Sequence, residues 1–172
     1  METAPNSIGV ILDGNRRFAK RLMLKPWMGH EWGAKKIREF LRWSRDLNIK
    51  EVTFFAFSIE NFQRPKEEFD FLMDIFEKEF TSTLTDPEVY ENRVKFSFIG
   101  RIYMFPEKLQ KVMHELMEKT KDHNNFFVNF AMAYGGRAEI IDAARKIIND
   151  VKQGKLKIED VNEESFGNYL YI

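Results

Sequence analysis

Val52-Thr53-Phe54-Phe55-Ala56-Phe57 runs straight into Ser58-Ile59-Glu60-Asn61-Phe62-Gln63-Arg64-Pro65, and a segment of helical period, 66–84, follows. The first six residues are mostly apolar and β-branched or aromatic, as in a parallel strand covered on both faces. In 66–84, Phe69, Leu72, Met73, Phe76 and Phe80 recur at i, i+3, i+4, i+7 and i+11, which puts them on one helical stripe. Pro65 stands just before that helix, and Glu67 and Glu68 suit its positive first turn. Strand, polar loop and long helix together make the first part of a βαβ unit.

The same alternation continues in both directions. Strands are expected over 8–12, 52–57, 94–99 and 126–133. Helices are expected over 30–47, 66–84, 106–121 and 137–151. Ile37, Phe40, Leu41 and Leu47 lie near one face of the first helix, and Gly135-Gly136 breaks the chain before the last. Strands alternating with helices predict an α/β fold with a mostly parallel central sheet flanked by helices. The length of 172 residues fits one domain, 1–172, able to bury about two thirds of its unfolded surface. The sequence contains no internal repeat, low-complexity tract or linker.

Composition narrows the function. Lys+Arg and Asp+Glu number 27 each, so the net charge is zero. A general nucleic-acid binder would show a basic excess, whereas a local cationic pocket is compatible with balance. The absence of cysteine excludes a disulfide framework, a thiolate nucleophile and a cysteine zinc site. No apolar run reaches the ~18 residues of a spanning helix, and residues 1–7 lack the basic and apolar regions of a signal peptide. A cytoplasmic protein is expected, one able to visit a membrane surface. The 17 Phe residues fit either an aromatic core or a wide apolar internal site.

In open sheets of this kind, ligands bind beyond the carboxyl ends of the strands. After the first strand comes Asp13-Gly14-Asn15-Arg16-Arg17-Phe18-Ala19-Lys20. Gly14 lets backbone approach a ligand, a helix begins with free N–H groups, and Arg16, Arg17, Lys20 and Arg21 add positive charge. Asp13 among these cations suits Mg²⁺, which takes carboxylate together with phosphate oxygens. The plainer alternative is a helix cap at Asp13 and a solvated arginine face. Gly29-His30 places an imidazole at the start of the next helix, where a structural role is the commoner one. The loop 58–65 presents a hydroxyl, a carboxylate, an amide, an aromatic ring and an arginine one strand away from the anion site.

These segments, in this order, resemble the undecaprenyl diphosphate synthase family of cis-prenyltransferases. The stretches carrying the resemblance are Asp13 to Lys20, Gly29-His30, Phe57 to Pro65, and Ala133-Tyr134-Gly135-Gly136-Arg137. The resemblance implies a Mg²⁺-dependent enzyme that condenses isopentenyl diphosphate with an allylic diphosphate, such as farnesyl or geranylgeranyl diphosphate, into a polyprenyl diphosphate. It implies that Asp13 is catalytic and the metal ligand, and that Asn61 helps remove the proton from the condensing chain. Gly14, Asn15, Arg16 and Arg17 would hold the allylic diphosphate with His30 nearby, and Phe18 would flank the substrate. Ser58, Ile59, Glu60, Phe62 and Arg64 would bind where the two substrates meet.

A hydrophobic tunnel is expected, with Phe54, Phe69, Phe76 and Phe80 as candidate walls, and the resemblance implies a homodimer. Two departures stand out. Pro26, with Lys25 beside it, occupies a position where the family has Arg. The family's later Arg-Thr-Ser-Gly-Glu and Arg-x-Ser segments, which bind isopentenyl diphosphate, do not occur, so the domain is expected to be incomplete at its carboxyl end. The competing reading is a non-catalytic prenyltransferase-like subunit that binds a partner chain or an isoprenoid. A generic nucleotide-binding module is disfavoured, because neither a Gly-x-x-x-x-Gly-Lys-Ser/Thr nor a Gly-x-Gly-x-x-Gly loop is present.

Overall fold

The computed structural model describes residues 4–171; the ends of the expected domain, 1–3 and 172, lie outside them. Four strands, β1 (Ser7–Ile11), β2 (Glu51–Ser58), β3 (Val94–Ile99) and β4 (Phe126–Tyr134), form one sheet in the order β1-β2-β4-β3. Every neighbouring pair is parallel. The helices are α1 (Asn15–Arg21), α2 (Gly29–Asp46), α3 (Lys66–Thr83), α4 (Pro87–Glu91), α5 (Glu107–Thr120), α6 (Gly136–Lys152) and α7 (Glu163–Gly167). A parallel sheet requires each connection to return the chain to the starting edge. Thus α2 and α3 both run back from the carboxyl edge toward the amino edge.

The expected strands and long helices all form. The central strands behave as continuous apolar runs should: β4 is buried along nearly its whole length, and Val52, Phe54 and Phe57 of β2 are buried. The outer strand β1 does not. It pairs with β2 alone, and its burial alternates so that Ile11 is 75% exposed. Unlike β2, this edge strand is therefore not covered on both faces.

Aromatic packing holds the helices on the sheet. The Phe80 ring meets Phe98 at 4.7 Å and Phe130 at 5.4 Å, edge to face, while Phe54 stacks on Phe130 at 5.3 Å. Such pairs add about 0.5–1.5 kcal/mol each beyond burial. Along its length α5 buries Leu109, Met113 and Leu116. The carboxyl-terminal segment is fastened to α6: the Tyr171 hydroxyl donates to Asp142, which also accepts two bonds from Arg101 at 2.8 Å. Among the described residues, no helix is long and apolar enough to cross a membrane.

Candidate active site

The carboxyl ends of β1 and β2 lie side by side, because Ile11 is in register with Phe55. The loop from β1 into α1 turns at Gly14, whose φ of +91° is a left-handed conformation costly for any residue with a Cβ. The turn exposes Asp13, which accepts from the Gly14 N–H and binds Arg17 Nη2 at 2.8 Å through its other oxygen. Asp13 makes no cap bond to α1, so the simple capping alternative does not describe it.

Two glycines bring α2 against α1. A Cβ at Gly29 would lie 2.0 Å from the Asn15 carbonyl oxygen, and one at Gly33 would lie 2.7 Å from Asn15 Oδ1. These positions are one helical turn apart and form a notch into which Asn15 fits. Close approach at Gly29 sets His30, the next residue, beside the β2 loop.

That loop begins as a 3-10 turn, Ile59–Gln63, closed by a reciprocal cap. Asn61 Oδ1 accepts from the Ser58 backbone N–H at 3.0 Å, and the Ser58 side chain accepts from the Asn61 backbone. The Asn61 oxygen is thus engaged in holding the loop, leaving its NH₂ free to face a ligand. Glu60 is exposed; its own backbone N–H, then the Ser58 hydroxyl, hold its carboxyl below the usual range. Ile59 packs on Gly135, the first glycine of the pair before α6. Phe62 turns inward, with its ring 5.0 Å from Phe57 and 5.3 Å from Phe105.

A residue given only a helix-end role by the sequence stands at the centre. Glu68 lies in the first turn of α3 and its side chain is 1% exposed. It bonds Arg64, one turn earlier, and stands 3.5 Å from His30 Nε2 and 3.8 Å from Arg16 Nε. Its position, i−4 from Leu72 on the apolar stripe, was the available signal: a carboxylate on a buried face needs partners. His30 Nε2 is also 3.4 Å from Arg64 Nη1. Burial first, and then the Arg64 charge, push the imidazole pKa below its ordinary 6.5 despite Glu68, so His30 is neutral near pH 7. Lys25 is drawn elsewhere, to Glu67 at 2.9 Å and over the Trp27 ring.

Beneath this polar group lies a cavity of about 920 Å³ between α2, α3 and the sheet. Asp13, Asn15, His30, Ser58, Asn61 and Arg64 line its upper end. Phe40, Phe54, Phe76, Phe80 and Phe130 line the interior. Of the four expected wall residues, Phe69 alone lies off the cavity, joined instead to Phe57 and Phe62. Gly14, Arg16, Arg17, Ile59, Glu60 and Phe62 also lie outside its lining, and Phe18 is in it. At the far end the walls are tied by charge. Arg38 of α2 reaches Glu79 of α3 at 3.0 Å, and Arg42 and Arg45 reach Glu88 of α4 at 2.7 and 3.1 Å.

The arrangement suits a ligand with an anionic head and a long apolar tail: cations and amides at a sheet edge, opening into an aromatic cavity. Among the described residues, no group of three or more His, Asp or Glu could hold a metal by itself. Asp13 offers one carboxylate beside the cations, which fits Mg²⁺ when phosphate oxygens complete the shell.

The family described as "Putative undecaprenyl diphosphate synthase" matches residues 11–172. The chain belongs to this family, the cis-prenyltransferases. It is 47% identical over 170 residues to a tritrans,polycis-undecaprenyl-diphosphate synthase (geranylgeranyl-diphosphate specific) of Methanocaldococcus jannaschii, covering 99% of this chain and 61% of that protein. It is 44% identical over 168 residues to the enzyme of the same name from Pyrococcus furiosus, covering 98% of this chain and 64% of that one. The chain thus spans less than two thirds of the length of these relatives. Lavandulyl diphosphate synthase from Lavandula x intermedia, solved with dimethylallyl diphosphate, superposes with a TM-score of 0.91 at 33% identity, covering 96% of this chain and 70% of that one. A probable undecaprenyl diphosphate synthase from Campylobacter jejuni gives 0.74 at 30% identity, covering 97% and 69%.

Proposed function

We propose that the protein binds an allylic diphosphate and lengthens it with isopentenyl diphosphate. The observation that carries this is the continuity of the polar group at Asp13, His30, Asn61 and Arg64 with the aromatic cavity. The relatives' names favour geranylgeranyl diphosphate as primer. Its diphosphate would sit among Arg16, Arg17, His30 and Arg64, with its tail in the cavity and Phe18 at the rim. Gly14 and Asn15 shape the loop under the diphosphate.

In the reaction the allylic C–O bond breaks and the diphosphate leaves with the bonding pair. The isopentenyl double bond supplies the electrons of the new C–C bond, and a proton is then lost from the isopentenyl carbon chain. Preorganised cations and N–H donors stabilise the departing charge most where water is excluded. Neutral His30 offers an N–H to a phosphate oxygen, and Glu68 holds Arg64 in place without itself facing the ligand. Mg²⁺, held by Asp13 together with diphosphate oxygens, would supply further positive charge to the leaving group. Asn61, with its oxygen fixed by Ser58, would present its NH₂ to the condensing chain or its diphosphate. Ser58, Ile59, Glu60 and Phe62 shape the loop where isopentenyl diphosphate would meet the primer. Work as a homodimer in the cytoplasm, with release of product at a membrane surface, belongs to the same proposal and rests on the family alone.

The test pairs Mg²⁺-dependent binding of geranylgeranyl diphosphate with incorporation of labelled isopentenyl diphosphate. Binding with turnover, lowered roughly 10²–10³-fold in Asp13→Ala, is the expected result. Binding without turnover would favour an isoprenoid-binding subunit, and neither would overturn the proposal.

A further inference from the structure

Although the protein is neutral overall, residues 16–36 carry seven Lys or Arg and a single acidic residue, Glu31. Within the same stretch Phe18, Leu22, Met23, Leu24, Met28 and Trp32 are exposed. They are six of the sixteen large apolar side chains found exposed among the described residues. Apolar exposure and positive charge are thus concentrated at one place, on α1, its following turn and the start of α2.

The most prominent member is Met23, 95% exposed, at a backbone position with φ of 56°. The turn that presents it is tied down. Leu22 and Leu24 N–H groups both bond the Ala19 carbonyl at 3.0 Å, and Met23 N–H bonds the Lys20 carbonyl at 3.1 Å. Leu22, Met23 and Leu24 therefore project as a fixed apolar knob. Lys20, Arg21 and Lys25 surround it in sequence, and Lys20, Arg21 and Lys35 make no ion pair among the described residues. Along α2, Lys35 lies over the Trp32 ring at 5.6 Å and Lys36 over the Trp43 ring at 5.8 Å. Trp32 and Trp43 are eleven residues apart and share one helical face.

We infer that this α1–α2 surface, centred on Met23, is a docking face for an anionic lipid bilayer. Leu, Met and Trp beside free lysines match the acyl boundary and the headgroups together. Each Lys or Arg near an anionic leaflet contributes about 1 kcal/mol, or roughly fivefold in affinity. A second copy of the chain fits poorly, because a twofold interface would set this cationic surface against itself. The location also has a use: Phe18, Trp32 and Lys35 line the apolar cavity, so an apolar tail can pass between cavity and bilayer beside the docking face. This gives the membrane contact of the proposed function an address. Its test uses no prenyl substrate, so either reading can fail alone.

The test is sedimentation of the full 172-residue chain with vesicles of phosphatidylcholine, or of phosphatidylcholine mixed equally with phosphatidylglycerol. Binding is expected to the mixed vesicles and to weaken in high salt. Lys20→Glu with Arg21→Glu should reduce it about tenfold or more. Leu22→Ser with Met23→Ser should reduce it by about tenfold. Both double variants should keep the parent melting temperature. No sedimentation of the parent, or equal binding of parent and variants, overturns the inference. So does a dimer in sedimentation velocity that the Leu22/Met23 variant dissociates.

Discussion

Glu68 shows how one side chain can organise several others. Its carboxylate is buried and meets Arg64, His30 and Arg16. Breaking a buried ion pair from one side costs about 3–5 kcal/mol when both partners are dry. Arg64 keeps 23% of its side chain exposed, so Glu68→Ala should cost about 2–3 kcal/mol, read from urea unfolding. Glu68→Gln should keep more of the stability but weaken diphosphate binding, because Arg64 and His30 lose their common anchor. Parent-like affinity in that variant would remove Glu68 from the site. His30 gives a second handle. Its folded pKa is lowered by burial and by Arg64, so the folded state binds a proton less readily than the unfolded chain. The stability that neutral His30 contributes is complete above about pH 6.5 and is lost as pH falls from there to the lower folded value. A His30→Gln variant should flatten the dependence of melting temperature on pH across that window. An unchanged slope would assign the dependence to another group.

Among the elements, the α1–α2 contact depends on what is missing from Gly29 and Gly33. Adding a methyl group at Gly29 puts it against the Asn15 backbone, which cannot rotate away. Gly29→Ala should therefore destabilise by about 1–3 kcal/mol, the usual range for overpacking, and should displace His30. Thermal unfolding measures the first effect, and the His30 imidazole signals in NMR report the second. The long elements were legible in the sequence, since apolar runs of strand length and stripes of helical period signal packing directly. The short α4 and α7 were not: five residues hold no period, and Asp86 and Asn162 as their caps look like ordinary loop polarity. The 3-10 turn at Ile59–Gln63 is hidden for the same reason, although the sequence marks its cap residues Ser58 and Asn61 for chemistry.

For the whole molecule, Asp13, Asn61 and Arg64 were legible because each lies in a short segment just after a strand, and His30 because it opens the helix that follows Gly29. Sheet order brings Asp13, Asn61 and Arg64 together, and the Gly29–Asn15 contact adds His30. What the sequence withheld depends on direction in three dimensions. Phe62, Phe69 and Phe76 carry the same side chain and all meet Phe57, but Phe76 alone of the three lines the cavity. Lys25 stands near the site in sequence and is held by Glu67 in space. The charged ties at the far end, Arg38 to Glu79 and Arg42 and Arg45 to Glu88, join residues more than forty positions apart, a distance no local pattern spans. These ties leave α2 joined to α3 and α4 there by partly exposed charge, which solvent ions screen. Grease cannot be loosened by salt, but this seam can. The capacity of the compartment should then answer to the ionic strength around it. The longest prenyl chain it accepts should therefore lengthen as salt rises and shorten again in dilute buffer, a shift that mass spectrometry of bound lipids would detect. A seam of fixed width would hold the same guests at every salt concentration.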